Sequence, residues 1–183
     1  ARLRRAHGQP MILFSYANPL LQYGYARLCK DAARAGIDGF LVVDLPFEEA
    51  GELLEPMRRE GLLFIQLIAP TTSPERARRL LARADGFVYY VLVKGITGVR
   101  RRLPADARRH LRQLRTWTDL PIAAGFGISN GAQARLAARH ADGVVVGSAL
   151  VEAARAGRLA RQVRELAAAL ADPRDGRRGR SAK

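Results

Sequence analysis

Two segments of small residues in the last third of the chain have the composition of a phosphate-binding site. Gly147-Ser148-Ala149 follows the apolar run 143–146 and opens a helical stretch, and Gly125-Phe126-Gly127 has the same arrangement earlier in the chain. Unpaired backbone amides at a helix start, together with the helix dipole, attract anions. Both segments therefore predict phosphate binding, with tight strand-to-helix turns, which glycine also serves, as the alternative.

Aromatic and acidic side chains stand where short apolar runs end. Tyr16, Tyr89 and Phe126 occupy such positions, and Asp44 is the acid that follows a run of this kind. In parallel α/β barrels, the carboxyl ends of the strands form the face on which active sites are built. The aromatic residues are therefore predicted either to hold an aromatic ring of a ligand or to fill ordinary core. Asp44 is a candidate catalytic carboxylate.

The cysteine and histidine content argues against a metal centre. Cys29 is the single cysteine, so neither a disulfide framework nor a thiolate metal site is expected, and the cytoplasm is the predicted compartment. We predict that Cys29 is a small, buried packing residue. His7, His110 and His140 stand far apart in sequence and are predicted to be surface residues rather than bases.

Short apolar runs alternate six times with amphipathic stretches, which is typical of parallel βαβ modules. The runs are nearly continuous rather than alternating, as expected for strands that are covered on both faces. The predicted strands are Met11 to Tyr16, Gly39 to Asp44, Leu63 to Ala69, Gly86 to Leu92, Pro121 to Gly125 and Gly143 to Val146.

Helix boundaries are indicated by capping residues. Pro46, followed by two glutamates, is expected to open a helix that ends at Gly61. Three more helices are expected to begin at serines, because a serine hydroxyl can accept a hydrogen bond from the first amides of a helix. These serines are Ser73, which precedes a proline, Ser129 and Ser148.

The chain is predicted to form a single partial barrel domain over residues 1–171, followed by a basic, disordered tail over residues 172–183. Residues 1–7 resemble the last turns of a helix, with Gly8 as its terminator. A closed barrel of this class uses eight βα modules in about 250 residues, whereas six are counted here. The pattern therefore predicts either an incomplete (βα)8 TIM barrel of the phosphate-binding type or an open sheet of six strands.

The net charge of +14 raises the question of nucleic-acid binding. The excess of basic residues lies in residues 1–9, 100–115 and 155–183, and no helix-turn-helix, zinc-finger or stacking-aromatic motif accompanies it. No apolar run approaches the roughly 20 residues that a membrane-spanning helix needs. Neither nucleic acid nor a membrane is predicted as a partner.

Seven segments resemble the tryptophan synthase alpha family, in the order and at the spacing that the family has, across about residues 8 to 155. They are Ser15-Tyr16-Ala17-Asn18-Pro19, Val43-Asp44-Leu45-Pro46, Ala69-Pro70-Thr71-Thr72, Gly86-Phe87-Val88-Tyr89-Tyr90, Gly95-Ile96-Thr97-Gly98, Gly125-Phe126-Gly127-Ile128-Ser129 and Ala141 to Ala149. The family's first two strands and helices find no counterpart in the chain.

The resemblance assigns roles to individual residues. It implies that the substrate phosphate is held by Gly98, Gly127, Gly147 and Ser148. It implies that the substrate pocket is formed by Tyr16, Leu41, Tyr89, Thr97 and Phe126, with Thr97 as the functional residue of a loop that closes over substrate. It implies that the beta subunit is contacted by Asn18, Pro19, Asp44 and Pro46, so that Asp44 belongs to the interface rather than to catalysis.

The resemblance also implies an activity, namely the reverse aldol cleavage of indole-3-glycerol phosphate to indole and glyceraldehyde 3-phosphate in an alpha2beta2 complex. No cofactor and no metal are implied. The catalytic glutamate and aspartate of the family belong to its second strand and the loop after it, so we expect an N-terminally truncated chain without catalytic residues of its own. Such a chain is expected to be inactive.

Two alternatives remain at this stage. One is another phosphate-binding barrel enzyme, such as an indole-glycerol-phosphate synthase, which shares the glycine-rich loops but lacks Tyr16-Ala17-Asn18 and Asp44-Leu45-Pro46. The other is a noncatalytic alpha-like subunit that only binds a beta subunit.

Overall fold

The computed structural model describes residues 2–92, 105–125 and 127–171, and these residues form two compact units. The first compact unit comprises the chain up to Leu67 together with Ser73–Val88. The second comprises Ile68–Thr72 and the chain from Tyr89 onward. The predicted tail over residues 172–183 lies outside the described residues.

The first compact unit contains a parallel sheet of three strands in the order β1-β2-β3. Ile12 lies opposite Gly39 in the register, and Gly39 lies opposite Leu63. The elements are α1 (Arg2–Ala6), β1 (Ile12–Ser15), α2 (Ala17–Tyr23), α3 (Tyr25–Ala35), β2 (Gly39–Val42), a 3-10 helix (Phe47–Glu49), α4 (Gly51–Arg59), β3 (Leu63–Phe64) and α5 (Pro74–Leu81).

The core of the first compact unit forms where α3 and α4 cover the sheet. Phe40 of β2 packs with Leu53 and Met57 of α4 and with Cys29 of α3, and all four are buried. The prediction that Cys29 is a packing residue is therefore confirmed. Burial raises the pKa of its thiol to about 11, so the reactive thiolate is suppressed at neutral pH.

The second sheet has four strands in the order β4-β5-β6-β7. Its first two strands, β4 (Gln66–Ile68) and β5 (Val88–Val91), hold residues of both compact units. In the second unit β6 and β7 are parallel, with Ala123 opposite Gly143. The remaining elements are α6 (Ala105–Leu114), β6 (Ile122–Gly125), α7 (Gly131–Ala138), β7 (Gly143–Val145), α8 (Ser148–Arg155) and α9 (Leu159–Ala171).

The six predicted strands are found, five as single strands and one divided in two. The run 63–69 forms β3 and β4, with Ile65 between them. The amide of Ile65 still donates to the carbonyl of Phe40 in β2 at 2.9 Å, whereas Gln66 begins a strand of the other sheet. The break is thus a change of sheet within one apolar run.

Three of the predicted helix starts need correction. Ser148 does not cap α8 but is its first helical residue, and the N-cap is Gly147, without a side-chain hydrogen bond. Ser129 does not cap a helix; the cap of α7 is Asn130, whose side chain accepts from the amide of Gln133. The glutamates after Pro46 form a 3-10 turn, and α4 begins only at Gly51. Ser73 caps α5 as predicted, because its hydroxyl accepts from the amide of Arg76 at 3.3 Å.

A strand clamp in the first unit joins an aspartate, an arginine and the amide group that precedes a neighbouring strand. Asp38, directly before β2, accepts from the amide of Met11 at 2.7 Å and donates its own amide to the carbonyl of Met11 at 2.9 Å. Arg4 pairs with the carboxylate of Asp38 and also donates to the carbonyls of Gly36 and Gln9. The clamp fixes β1 against β2 at their amino ends.

The second unit contains the same strand clamp. Asp142, directly before β7, accepts from the amide of Ile122 at 2.9 Å and donates to the carbonyl of Ile122 at 2.8 Å. Arg115 pairs with the carboxylate of Asp142 at 3.2 Å. The register of β6 against β7 is therefore set at their amino ends, which leaves their carboxyl ends available for a site.

Candidate functional site

The start of α8 has the geometry of an anion-binding site. Gly147 occupies the N-cap position and supplies no side-chain hydrogen bond to the helix. Its carbonyl accepts from the amides of Leu150 and Val151, at 2.9 and 3.2 Å, so the amides of Ser148 and Ala149 come before the first helical hydrogen bonds. A Cβ atom placed on Gly147 would meet no atom of the described residues within 4 Å. These amides therefore border open space at the positive end of the helix dipole.

The start of α7, in contrast, is closed by its own side chains. The side chain of Asn130 accepts from the amide of Gln133 at 3.0 Å, and Oε1 of Gln133 accepts from the amide of Ser129 at 2.8 Å and from its hydroxyl at 3.0 Å. This reciprocal arrangement is a variant of the capping box. The two predicted phosphate segments therefore differ, because only α8 presents an open helix start.

Gly127 lies in the loop between β6 and α7 rather than at a helix start. It is exposed and has a φ of 74°, a left-handed conformation that favours glycine. Gly125, at the end of β6, lies opposite Val145 of β7. The loop that carries Gly127 and the segment Gly147-Ser148 thus leave the same edge of two paired strands, as the sequence predicted.

Tyr89 of β5 packs against the end of β6. A Cβ atom added to Gly125 would lie 2.7 Å from Cζ of Tyr89, so the tyrosine ring covers the backbone of this glycine. The amide of Leu92 donates to the carbonyl of Gly125 at 2.7 Å, which holds the two strand ends together. Burial raises the pKa of the Tyr89 hydroxyl, which therefore remains protonated at neutral pH.

The other predicted pocket residues differ in burial and in the compact unit to which they belong. Tyr16 is 62% exposed at the N-cap position of α2, and Leu41 is buried within β2. Both belong to the first compact unit, whereas Tyr89 belongs to the second. Thr97, Gly98 and Phe126 lie outside the described residues.

The four residues predicted to contact a partner are exposed and follow two neighbouring strands. Asn18 and Pro19 lie in the first turn of α2, after β1, and Asp44 and Pro46 follow β2. The carboxylate of Asp44 accepts from the amide of Ala17 at 2.7 Å. Asp44 therefore stabilises the start of α2 and ties the two segments to each other.

The prediction that the histidines are surface residues holds for His7 and is wrong for His140 and His110, which are half-buried. His110 lies beside Tyr90. Its Nδ1 lies 3.2 Å from the hydroxyl of Tyr90, and the two rings pack edge to face with centroids 5.5 Å apart. Burial and then Arg109 lower the pKa of His110, while burial raises the pKa of Tyr90 to about 12. The sequence signal was the position of His110 beside the buried stripe of α6, which contains Ala107 and Leu111.

Within the described ranges, no group of three or more histidine, cysteine, aspartate or glutamate side chains is arranged to hold a metal ion. None of the helices in those ranges has the length and apolar character needed to cross a membrane.

Comparison with known proteins identifies the family. The family model for the tryptophan synthase alpha chain matches residues 1–175. The chain belongs to this family. The tryptophan synthase alpha chain of Acidiphilium cryptum is 49% identical over 148 residues, which is 81% of this chain and 54% of the relative. That of Shouchella clausii is 47% identical over 143 residues, which is 78% of this chain and 53% of the relative.

Solved structures of the tryptophan synthase alpha family confirm the fold class. The alpha subunit from Campylobacter jejuni matches with a TM-score of 0.80 and 30% identity, over 87% of this chain and 66% of that one. A chain of the tryptophan synthase a2b2 complex from Pyrococcus furiosus matches with a TM-score of 0.80 and 37% identity, over 91% of this chain and 70% of that one. The fold is therefore the α/β TIM-barrel class of this family. The chain spans about half the length of the curated relatives it matches.

Proposed function

We propose that this chain carries the phosphate-binding and indole-binding part of a tryptophan synthase alpha subunit. Such a subunit is a carbon-carbon lyase that cleaves indole-3-glycerol phosphate to indole and glyceraldehyde 3-phosphate in cytoplasmic tryptophan biosynthesis. The observation that carries the proposal is the uncapped start of α8, which borders open space in a chain of this family.

In this proposal the phosphate binds to the amides of Ser148 and Ala149 and to the hydroxyl of Ser148. Gly127 and Gly98 contribute backbone amides from the two preceding loops. Gly147 has no side chain that would occupy the space of the anion. The self-capped start of α7 supports a site centred on α8, because the amide of Gln133 in the first turn of α7 already has a side-chain acceptor in Asn130.

The indole ring binds against Tyr89, with Tyr16, Leu41, Thr97 and Phe126 as further lining residues. Tyr89 is suited to this role because its ring is held against Gly125 and its hydroxyl is kept neutral by burial. A protonated hydroxyl presents no negative charge to the electron-rich indole, and the packed ring offers a flat apolar surface.

The acid and the base that move protons are proposed to come from a segment that precedes the matched region in the family. Two observations support this division. The chain spans about half of its curated relatives, and the carboxylate of Asp44, at the carboxyl end of β2, is already bound by the amide of Ala17. Residues 1–183 alone are then expected to bind substrate phosphate without cleaving the substrate.

A beta subunit is the proposed partner, contacted through Asn18, Pro19, Asp44 and Pro46 in an alpha2beta2 complex. These residues are exposed, and the hydrogen bond from Ala17 to Asp44 gives the surface a fixed shape. A preformed surface lowers the entropy cost of association.

The proposal is tested by fusing the chain to the N-terminal segment of the Acidiphilium cryptum relative and measuring indole release from indole-3-glycerol phosphate. The fusion is expected to release indole, and Ser148→Asp is expected to lower kcat/KM at least about tenfold, because it replaces a charge-assisted hydrogen bond with like-charge repulsion. Ser73→Asp is the matched control, since Ser73 caps α5 in the first unit and aspartate caps helices equally well. Equal losses in the two variants would contradict the phosphate assignment.

A further inference from the structure

A row of arginines lies along one face of α6. Arg108, Arg112 and Arg115 are spaced by four and three residues, which places them on the same side of a helix. The amide of Arg115 donates to the carbonyl of Leu111, so the helical hydrogen bonding extends to the last arginine. At 1.5 Å per residue the row is about 10 Å long. It runs beside the buried stripe of α6 and is thereby held against the body of the second unit.

The residues that follow α7 add two further basic groups to this row. Arg139 and His140 lie in the turn between α7 and β7, and the ion pair of Arg115 with Asp142, at 3.2 Å, joins that turn to the end of α6. His140 is half-buried. Its pKa is lowered first by burial and then by the positive charges of Arg108, Arg112, Arg139 and Arg115.

Arg108 has a buried donor that lacks an acceptor. Its Nε atom is buried, and within the described part of the chain it has no hydrogen-bond partner. A buried guanidinium N–H without an acceptor is unfavourable, and a bound anion would supply one. Arg109, on another face of the same helix, differs in this respect because it pairs with Asp106 at 3.1 Å.

We propose that Arg108, Arg112, Arg115 and His140 form a binding site for a small polyanion with two adjacent phosphate groups. The planar guanidinium fork binds phosphate oxygens in pairs, which makes a row of arginines more selective for phosphate than a row of lysines. The row of about 10 Å suits a short chain of phosphates. Specific nucleic-acid complexes bury about 1,000–2,500 Å² of protein surface, which is more than three arginines on one helix offer.

This polyanion site is separate from the phosphate site proposed above. Asp142 and Ile122 stand at the amino ends of β7 and β6, whereas Gly127, Gly147 and Ser148 follow the carboxyl ends of the same strands. Strands of three and four residues separate the two ends by about 10 Å. A substitution at the polyanion site is therefore expected to leave substrate binding at the start of α8 unchanged.

The test is calorimetric titration of the full chain with pyrophosphate at constant ionic strength. Arg112→Gln, at an exposed position, is expected to weaken binding at least tenfold, and Arg108→Gln to weaken it further. Arg109→Gln removes the same charge from the same helix and is expected to change the affinity less than twofold. Equal losses in Arg109→Gln and Arg112→Gln, or no saturable binding by the unaltered chain, would overturn the proposal.

A second readout needs no variant. Saturating pyrophosphate is expected to raise the pKa of His140, measured by NMR titration of its imidazole, because the anion offsets the field of the arginines. A His140 pKa that does not move would overturn the proposed position, and tighter binding of a single-stranded oligonucleotide than of pyrophosphate would overturn the assignment to a small anion.

Discussion

At the scale of single residues, the closest fit in the candidate site is between Gly125 and Tyr89. The tyrosine ring occupies the space that any side chain at position 125 would need. Gly125 is thus required by the approach of a neighbouring side chain. The sequence suggested only that Gly125 belongs to a loop around phosphate, and it did not indicate the contact with Tyr89.

Gly125→Ala is expected to lower the free energy of unfolding by about 1–3 kcal/mol, because the added methyl group overpacks a buried aromatic ring. It should also weaken indole binding, because Tyr89 must move. Urea unfolding of both variants against the unaltered chain provides the measurement. Gly51→Ala is the control: in the part of the chain that the structure describes, a Cβ at Gly51 meets nothing within 4 Å, so no loss of stability is expected there. Similar losses in the two variants would contradict the packing argument.

The start of α8 was recognisable from residue types, whereas the closed state of α7 was not recognised. Asn130 followed three residues later by Gln133 is a capping signal. The neighbouring Ser129 is also a residue type that caps helices, so the sequence offered two candidates for the same N-cap position. Which of two adjacent polar residues caps a helix depends on backbone angles that the sequence alone does not provide. The difference between the two phosphate segments therefore appeared only in the structure.

At the scale of elements, the strands were predictable because apolar runs with clear boundaries can form few other structures. The run 63–69 is the exception, since it serves two sheets with a single uninterrupted apolar pattern. Nothing in the residue types marks Ile65 as the point of change. The change of sheet is decided by pairing with distant strands, which local patterns do not encode.

The strand clamp at Asp38 makes a prediction about acid stability. The amide of Met11, and also Arg4, lower the pKa of Asp38 in the folded chain. The clamp therefore contributes stability above the ordinary aspartate pKa of about 3.9, and that contribution is lost as the pH falls through the lower folded value. Asp38→Asn is expected to be less stable than the unaltered chain at pH 6, with the difference shrinking below pH 4 in urea titrations.

Asp85→Asn is the control for the clamp, because Asp85 also stands before a glycine but is exposed in the loop between α5 and β5. It is expected to change stability little at either pH. A pH-independent difference for Asp38→Asn would show that the carboxylate acts by packing rather than by its charge.

At the scale of the whole molecule, α9 presents an apolar stripe to solvent. Leu159, Val163 and Leu170 lie on one side of the helix and are each more than a third exposed. A stripe of this kind on a helix near the end of a barrel-type chain favours association. No helix was predicted from the sequence at Leu159–Ala171, and both the helix and its exposed stripe are seen only in the structure.

Residues 1–183 are therefore expected to self-associate at high concentration, and Val163→Lys is expected to reduce the association by placing a charge in the stripe. Light scattering across a concentration series measures this. Glu165→Gln changes the net charge by the same single unit on another face of α9 and should leave association unchanged. A chain that stays monomeric at all concentrations would contradict the prediction.

The two strand clamps share the spacing between the arginine and the clamped amide, since Arg4 precedes Met11 by as many residues as Arg115 precedes Ile122. Each of the two βα segments thus contains the residues that align its strands, and this alignment depends little on the rest of the chain. A segment that runs from such an arginine to the strand after its aspartate therefore contains all the residues that align its own two strands. Parallel barrels that grew by duplication would keep their strands aligned through each copying event, provided that the arginine and the aspartate were copied together.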